Sequence, residues 1–215
     1  MGITTRTHAL LAEIGALLLA ARCAGCERPG TLLCDDCRNA LDPSPREVRT
    51  PAGLRVRAAL ALEGPAASCI RRMKGEGDTL LARPLGAALA AVLTPVLVPG
   101  VWVVPVPTSR AAFRRRGTRV PELLVRRAGA DPQRVLTLTR RVRDQRELAA
   151  PDRAANVRGA MISRRRGLGA PAVVVDDVVT TGATLDEAVR ALVAAGFVVV
   201  GAVALAATPK SPESG

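Results

Sequence analysis

Val173-Val174-Val175-Asp176-Asp177-Val178-Val179-Thr180-Thr181-Gly182-Ala183-Thr184 is the stretch that decides the fold. With Ala172, the valines form a run that is apolar on both faces. Such a run marks a central parallel strand covered by helices, because a sheet with one wet face would alternate. The run ends in two adjacent carboxylates. Small hydroxyl residues and Gly182 follow, and then a helix is expected over residues 184 to 195, with Thr184 and Glu187 at capping-box spacing. In an open α/β sheet, ligands sit outside the carboxyl ends of the strands. Loop amides, threonine hydroxyls and a helix N-terminus there make a cradle for a phosphate. Gly182 lets the backbone approach the anion closely. The carboxylates repel a phosphate but suit hydroxyls, so the pattern describes a ribose 5-phosphate. A plain strand, turn and capped helix would account for Thr184 and Glu187. It would not account for two carboxylates side by side, whose repulsion is costly unless a ligand or metal relieves it. No Gly-Lys-Ser/Thr phosphate loop occurs, and no Gly-x-Gly-x-x-Gly follows a strand.

Outward from this stretch, two more apolar runs of strand length appear, Val101–Val106 and Phe197–Val200. Residues 55 to 63 alternate as an earlier strand. Helices are expected over 8 to 21, 65 to 74, 80 to 93 and 118 to 129. Strand and helix in alternation give an open, mostly parallel α/β sheet flanked by helices. Leu41-Asp42-Pro43-Ser44-Pro45 has the composition of a linker. The expected organisation is an N-terminal helix and knuckle over 1–41, a main domain over 52–208 and a disordered tail over 209–215.

Four of the five cysteines form Cys23-x-x-Cys26 and Cys34-x-x-Cys37, seven residues apart. Two such pairs suit a closed tetrahedral metal site, and four soft sulfur ligands point to structural Zn²⁺. Two disulfides or plain buried thiols would be the alternatives; a cytosolic setting disfavours the first. Cys69 stands alone and is expected to be a small buried residue. His8 is the single histidine, in the first helix, which removes Ser-His-Asp and Cys-His catalysis.

The 215 residues are 48% hydrophobic, enough for a real core, yet the aromatics are only Trp102, Phe113 and Phe197. The core must be Val, Leu and Ala. The net charge is +12. Residues 110 to 166 hold seventeen arginines and five acids, so this segment carries the whole surplus. That is a surface for phosphate or nucleic acid, or else an ordinary solvated face in an arginine-rich chain. No membrane span is expected, the apolar stretch over 9 to 21 lacks a cleavage site, and the expected location is cytoplasmic.

Asp-Asp-Val-Val-Thr-Thr-Gly-Ala-Thr resembles the phosphoribosyl-diphosphate (PRPP) motif of type I phosphoribosyltransferases. The four-cysteine knuckle, Ile70-Arg71-Arg72-Met73-Lys74, Val104-Pro105-Val106-Pro107 with its basic run, and Gln145, Arg153 and Asn156 follow in an order similar to the ComF/GntX family, which is linked to natural competence and DNA uptake. The resemblance covers roughly residues 20 to 208. It implies that Asp176 and Asp177 bind ribose hydroxyls, partly with Mg²⁺, and that Thr180, Thr181, Gly182, Ala183 and Thr184 hold the 5-phosphate. Pro107, Thr108, Ser109 and Arg110 correspond to the diphosphate loop, and Lys74 to the family's basic residue before it. Residues 140 to 160 would form a mobile hood loop, with Arg141, Arg143 and Arg153 reaching the diphosphate. The family often has Arg-Gly-Phe-Asn-Gln where this chain has Arg116-Gly117-Thr118-Arg119-Val120, and Thr where it has Val142.

Transfer from PRPP needs cations on the leaving diphosphate and anions beside a cation-like sugar. Arginines with Mg²⁺ would supply the first, Asp176 and Asp177 the second, with Arg153 as the catalytic arginine. Loop closure would exclude water. The implied function is a phosphoribosyltransferase with an unknown acceptor. Two alternatives stay open: a non-catalytic DNA-uptake protein binding single-stranded DNA or competence proteins, and a PRPP-sensing regulator. A homodimer is also allowed.

Overall fold

A computed structural model describes residues 21–139 and 159–209. The expected first helix, the hood loop with Arg141, Arg143, Gln145, Arg153 and Asn156, and the tail from residue 210 onward lie outside the described residues.

The centre is a five-stranded sheet. Its strands are β1 (Arg46–Arg49), β2 (Arg55–Ala61), β3 (Trp102–Pro105), β6 (Pro171–Val179) and β7 (Val198–Ala207), in spatial order β1-β2-β7-β6-β3. β1 is antiparallel to β2, and every other pairing is parallel. A separate antiparallel hairpin, β4 (Leu136–Leu138) with β5 (Met161–Ser163), lies beyond the edge strand β3. Its approach is tied to that edge by a bridge between Val103 and Pro132. The helices are α1 (Asp35–Asn39), α2 (Gly64–Gly75), α3 (Ala82–Leu93), α4 (Arg110–Arg116), α5 (Val120–Arg127) and α6 (Ala183–Ala194). This is the mostly parallel, helix-flanked α/β sheet that the apolar runs demanded.

The alternation of β6 divides the core. Val173 and Val175 face one side, with Cys69, Ile70 and Met73 of α2, Leu85, Leu89 and Val92 of α3, and Val120, Leu124 and Val125 of α5. Ala172 and Val174 face the other, with Leu185, Ala188 and Leu192 of α6. The cysteine knuckle joins the first cluster through Cys23, Leu33, Cys37 and Leu41. Each buried leucine contributes roughly 2 kcal/mol by leaving water. Aliphatic side chains thus fill both faces, and the aromatics add one edge-on contact, Trp102 against Phe197, with ring centroids 5.5 Å apart.

Several expectations need correction. Phe197 is buried but precedes the strand, and Val198–Val200 are not the buried part of it: β7 continues to Ala207, and its exposed or half-exposed start gives way to full burial only from Ala202. Small alanines let α3 pack close there, a signal that apolarity alone underweights. β6 likewise does not end at the acids but runs on past them to Val179, because Asp176 and Val178 keep parallel register with Ala204 and Ala206. The capping box is not formed. Gly182 in a left-handed conformation caps α6, Thr184 lies within the helix, and Glu187 is used elsewhere. β1, the β4–β5 hairpin and α4 were not foreseen, and the helix expected over 118–129 is the shorter α5. Thr79–Val96 is 18 residues long with mean hydropathy 1.5, enough by length and composition to cross a membrane. Its helix instead buries Leu85, Leu89, Val92 and Leu93 in the first cluster.

Candidate functional site

Strand alternation also governs the two acids. Asp177 falls on the side of α2, where its Oδ1 receives the Lys74 ammonium at 2.8 Å. Asp176 falls on the opposite side, and its Oδ1 accepts the Asp177 backbone N–H at 2.8 Å. Their exposures are only 8% and 9%. Burial, and then the neighbouring charge of Asp177, push the Asp176 carboxyl up to about 8. At the outlet of a core strand, then, two adjacent acids share one ammonium, which pairs with Asp177 and favours the Asp176 charge that burial opposes.

Beyond Val179 the chain bends through exposed Thr180 and Thr181 into Gly182. The Thr181 hydroxyl accepts the Ala183 N–H at 3.4 Å. Gly182 has φ +83°, and a Cβ there would come within 2.5 Å of Thr50 Cγ2. Thr50 and the turn after β1 buttress this bend from below. The Thr50 hydroxyl donates to Asp186 Oδ1, and Ala52 N–H donates to Asp186 Oδ2 at 3.1 Å. One turn further on, buried Glu187 accepts the Met161 N–H at 2.9 Å and both forks of Arg190 at 2.7 Å. Arg190 returns a bond to the Met161 carbonyl at 2.9 Å. Burial opposes the Glu187 charge, but Arg190 and the Met161 N–H outweigh it and hold its carboxyl below the usual range. The bend is thus fixed on one side to the sheet edge and on the other to the base of the β4–β5 hairpin.

Pro107, Thr108, Ser109 and Arg110 follow β3 and line a cavity of about 390 Å³. Its other walls are Arg119 and Glu122 of the α5 start, Arg134, and Leu136, Thr137, Leu138 and Arg164 of the hairpin. Arg119 lies 4.3 Å over the Phe113 ring and 3.5 Å from Glu122. Arg134 meets the same buried carboxylate at 2.5 Å. None of Lys74, Asp176, Asp177 or the Thr180–Thr184 bend lines this cavity. Of the expected site residues, then, Lys74, Asp176 and Asp177 come together, and the Pro107–Arg110 loop faces a separate basic hollow. Thr50, Asp186, Arg119, Arg134 and Arg164 were not foreseen. The Arg119/Glu122 spacing was legible as a helical pair, whereas Arg134 and Arg164 carry no local signal.

The knuckle gathers all four thiols. The sulfurs of Cys23, Cys26, Cys34 and Cys37 lie within 4.8 Å of one another. Cys34 Sγ is 3.6 Å from Cys23 Sγ and 3.7 Å from Cys26 Sγ. A tetrahedral zinc with bonds of about 2.3 Å sets its sulfurs about 3.8 Å apart, so the group fits that ion, and a disulfide would need far closer sulfurs. Gly25 has the room that the packing requires, since a Cβ there would meet Cys37 Sγ at 2.6 Å. Burial opposes ionisation of Cys23, but the N–H groups of Cys34, Cys26 and Gly25 aimed at its sulfur bring it down to about 6. Cys69 is buried, and its thiol is pushed up to about 11 by that burial and then by Cys23.

No family model and no curated protein matches the sequence. Among solved structures the chain is similar to UMP synthase of Leishmania donovani at 17% identity and TM-score 0.39, over 80% of this chain and 31% of that one. It is similar to adenine phosphoribosyltransferase of Rhodothermus marinus at 16% identity and TM-score 0.38, over 80% and 86%. A third is orotate phosphoribosyltransferase of Aeropyrum pernix, at 16% identity and TM-score 0.35, over 80% and 79%. The chain spans under a third of the UMP synthase.

Proposed function

We propose that this chain binds PRPP through Asp176, Asp177 and the Thr180–Thr184 bend, and transfers the phosphoribosyl group to an acceptor, in the manner of the ComF/GntX family. The observation that carries the reading is the pair of nearly buried carboxylates on consecutive residues of β6, one held by Lys74, directly before an exposed hydroxyl bend that opens α6.

In this reading the bend amides and the Thr180 and Thr181 hydroxyls hold the 5-phosphate against the positive end of α6. Asp176 and Asp177 accept the ribose hydroxyls; Asp177 carries negative charge beside the anomeric carbon, and Asp176, pushed up to about 8 by burial, would join it once a cation is bound. The carboxylate pair is a hard-oxygen donor set, which suits Mg²⁺, and a bound Mg²⁺ would neutralise the oxygens of the diphosphate. Lys74 is placed to release Asp177 and follow the anionic ligand. In the transfer, the bond between the anomeric carbon and the diphosphate oxygen breaks, and the diphosphate leaves with the electron pair. The acceptor's lone pair forms the new bond to that carbon, and the acceptor gives up its proton to solvent water. Arg153, Arg141 and Arg143 are assigned to the diphosphate on the family resemblance alone.

Isothermal titration with PRPP, with and without Mg²⁺, tests binding. No heat in either case ends the reading. Release of diphosphate, followed by ³¹P NMR across a set of heterocyclic acceptors, tests turnover.

A second reading, DNA uptake without turnover, is favoured by α4. That helix buries none of its residues and carries Arg114, Arg115 and Arg116 in its last turn. It predicts salt-dependent binding of single-stranded DNA, weakened when those three arginines are neutralised. Stacking should contribute little, for want of aromatics.

A further inference from the structure

The four thiols of the knuckle are not equivalent. Cys23 and Cys37 are shut into the first core cluster at 0% and 3% exposure. Cys26 is exposed, and Cys34 lines an open hollow of about 300 Å³ with Arg28, Thr31, Leu33, Asp35 and Asp36. The ligand set thus has an inner pair and an outer pair, and the outer sulfurs are 3.7 Å apart. That is van der Waals contact, so a small movement joins them. Sulfur bound to zinc stays deprotonated, and the thiolate is the nucleophile. Among the described residues of the hollow's lining, Arg28 is the one cation, with its side chain 61% exposed and paired to Asp36 at 3.2 Å. Its guanidinium can donate to an oxygen that leaves as hydroxide. Asp35 and Asp36 repel anionic oxidants, which favours a neutral hydroperoxide.

We infer that Cys26 and Cys34, with Arg28 beside them, form a two-electron oxidation site for a hydroperoxide, which switches the knuckle between a zinc-bound and a disulfide form. The Cys26 sulfur attacks one peroxide oxygen; the O–O bond breaks, hydroxide leaves, and a sulfenic acid forms. The Cys34 sulfur then attacks the Cys26 sulfur; the S–O bond breaks, a second hydroxide leaves, and the disulfide forms. The two thiolates lose two electrons, and the two hydroxides take protons from water. With half its ligands gone, the knuckle releases zinc. A dithiol reductant reverses the bond, so in reducing surroundings it is transient.

The fold carries the change inward. Arg72 Nη1 donates to the Arg22 carbonyl at 2.9 Å, and Cys23, Leu33 and Cys37 pack with Ala66, Cys69, Ile70 and Met73 of α2. Release of the knuckle therefore loosens α2, whose last turn holds Lys74 against Asp177. The switch does not depend on the PRPP reading, since no ligand of that seat takes part.

The test treats the full-length, zinc-loaded chain with hydrogen peroxide. A chromogenic chelator reads the zinc released, peptide mass mapping without reductant reads the new bond, and amide exchange reads residues 64–75. The expected result is one zinc lost per Cys26–Cys34 disulfide, recovery with dithiothreitol and zinc, and exchange in α2 about tenfold faster in the oxidised chain. Cys69→Ser should change none of these. Arg28→Ala keeps all four ligands and the backbone carbonyl that accepts the Cys23 N–H. It should slow zinc release about threefold, the size of an exposed charge contact. The inference is overturned by a chain that holds no zinc, by zinc retained under peroxide, or by a bond that includes Cys23, Cys37 or Cys69. Irreversible sulfinic acid, unchanged exchange in α2, or an Arg28→Ala rate equal to the wild type's would overturn it as well.

Discussion

Replacing Asp176 by Asn should change how stability depends on pH. The native carboxyl is 8% exposed, and burial and Asp177 push it up to about 8. In the unfolded chain the same group titrates near 3.9. Between those values the folded state holds a proton that the unfolded state has lost. Stability must therefore fall as pH rises through this window and level off above about 8. A whole proton corresponds to about 1.4 kcal/mol per pH unit. Incomplete protonation near the ends of the window reduces it, so the expected slope is on the order of 1 kcal/mol per unit. Asn keeps the oxygen that accepts the Asp177 N–H but does not titrate. Urea unfolding of both proteins from pH 5 to 9, zinc-loaded and free of Mg²⁺, gives the slopes by linear extrapolation. Subtracting one from the other cancels His8 and the thiols. The variant should gain on the wild type steadily up to about pH 8 and be the more stable protein there. A difference that does not vary with pH, or one of opposite sign, would refute the burial of an uncompensated acid on β6.

Elemental analysis should find one zinc per chain, and Cys37→Ser should lower both that ratio and the melting temperature, while Cys69→Ser leaves the ratio unchanged. Glu187→Gln weakens the clamp between α6 and Met161 and should cost about 2 kcal/mol in chemical denaturation. Because the Glu187 carboxyl is held below its usual range, its contribution is complete above the unfolded value and is lost as pH falls through the folded one; the variant's deficit should therefore shrink in acid. Gly182→Ala places a Cβ against Thr50 at a φ of +83°. It should destabilise the protein by about 1–3 kcal/mol and weaken PRPP binding in the same titration that tests the proposed function.

Local pattern settled what depends on neighbours in the chain. The valine run of β6 could only be a covered strand, Gly182 could only be a bend, and the cysteine spacing already grouped four thiols. What depends on distant partners was not legible. Glu187 stands three residues after Thr184 as a capping acid should, yet it turns away, because Met161 on the hairpin offers a buried N–H and Arg190 a charge. The acids read as the side-by-side end of a core strand. The ladder with Ala204 carries the strand through them and sends their side chains to opposite faces. The hollow beyond β3 draws on Arg110, Arg119, Arg134 and Arg164, which are scattered over more than fifty positions and share no period. Sequence alone determined the layered sheet, the thiol cluster and the glycine bend after β6, since each arises from residues within a few positions. Only the tertiary structure decided which charges meet, because a charge takes its partner from whatever element packs beside it.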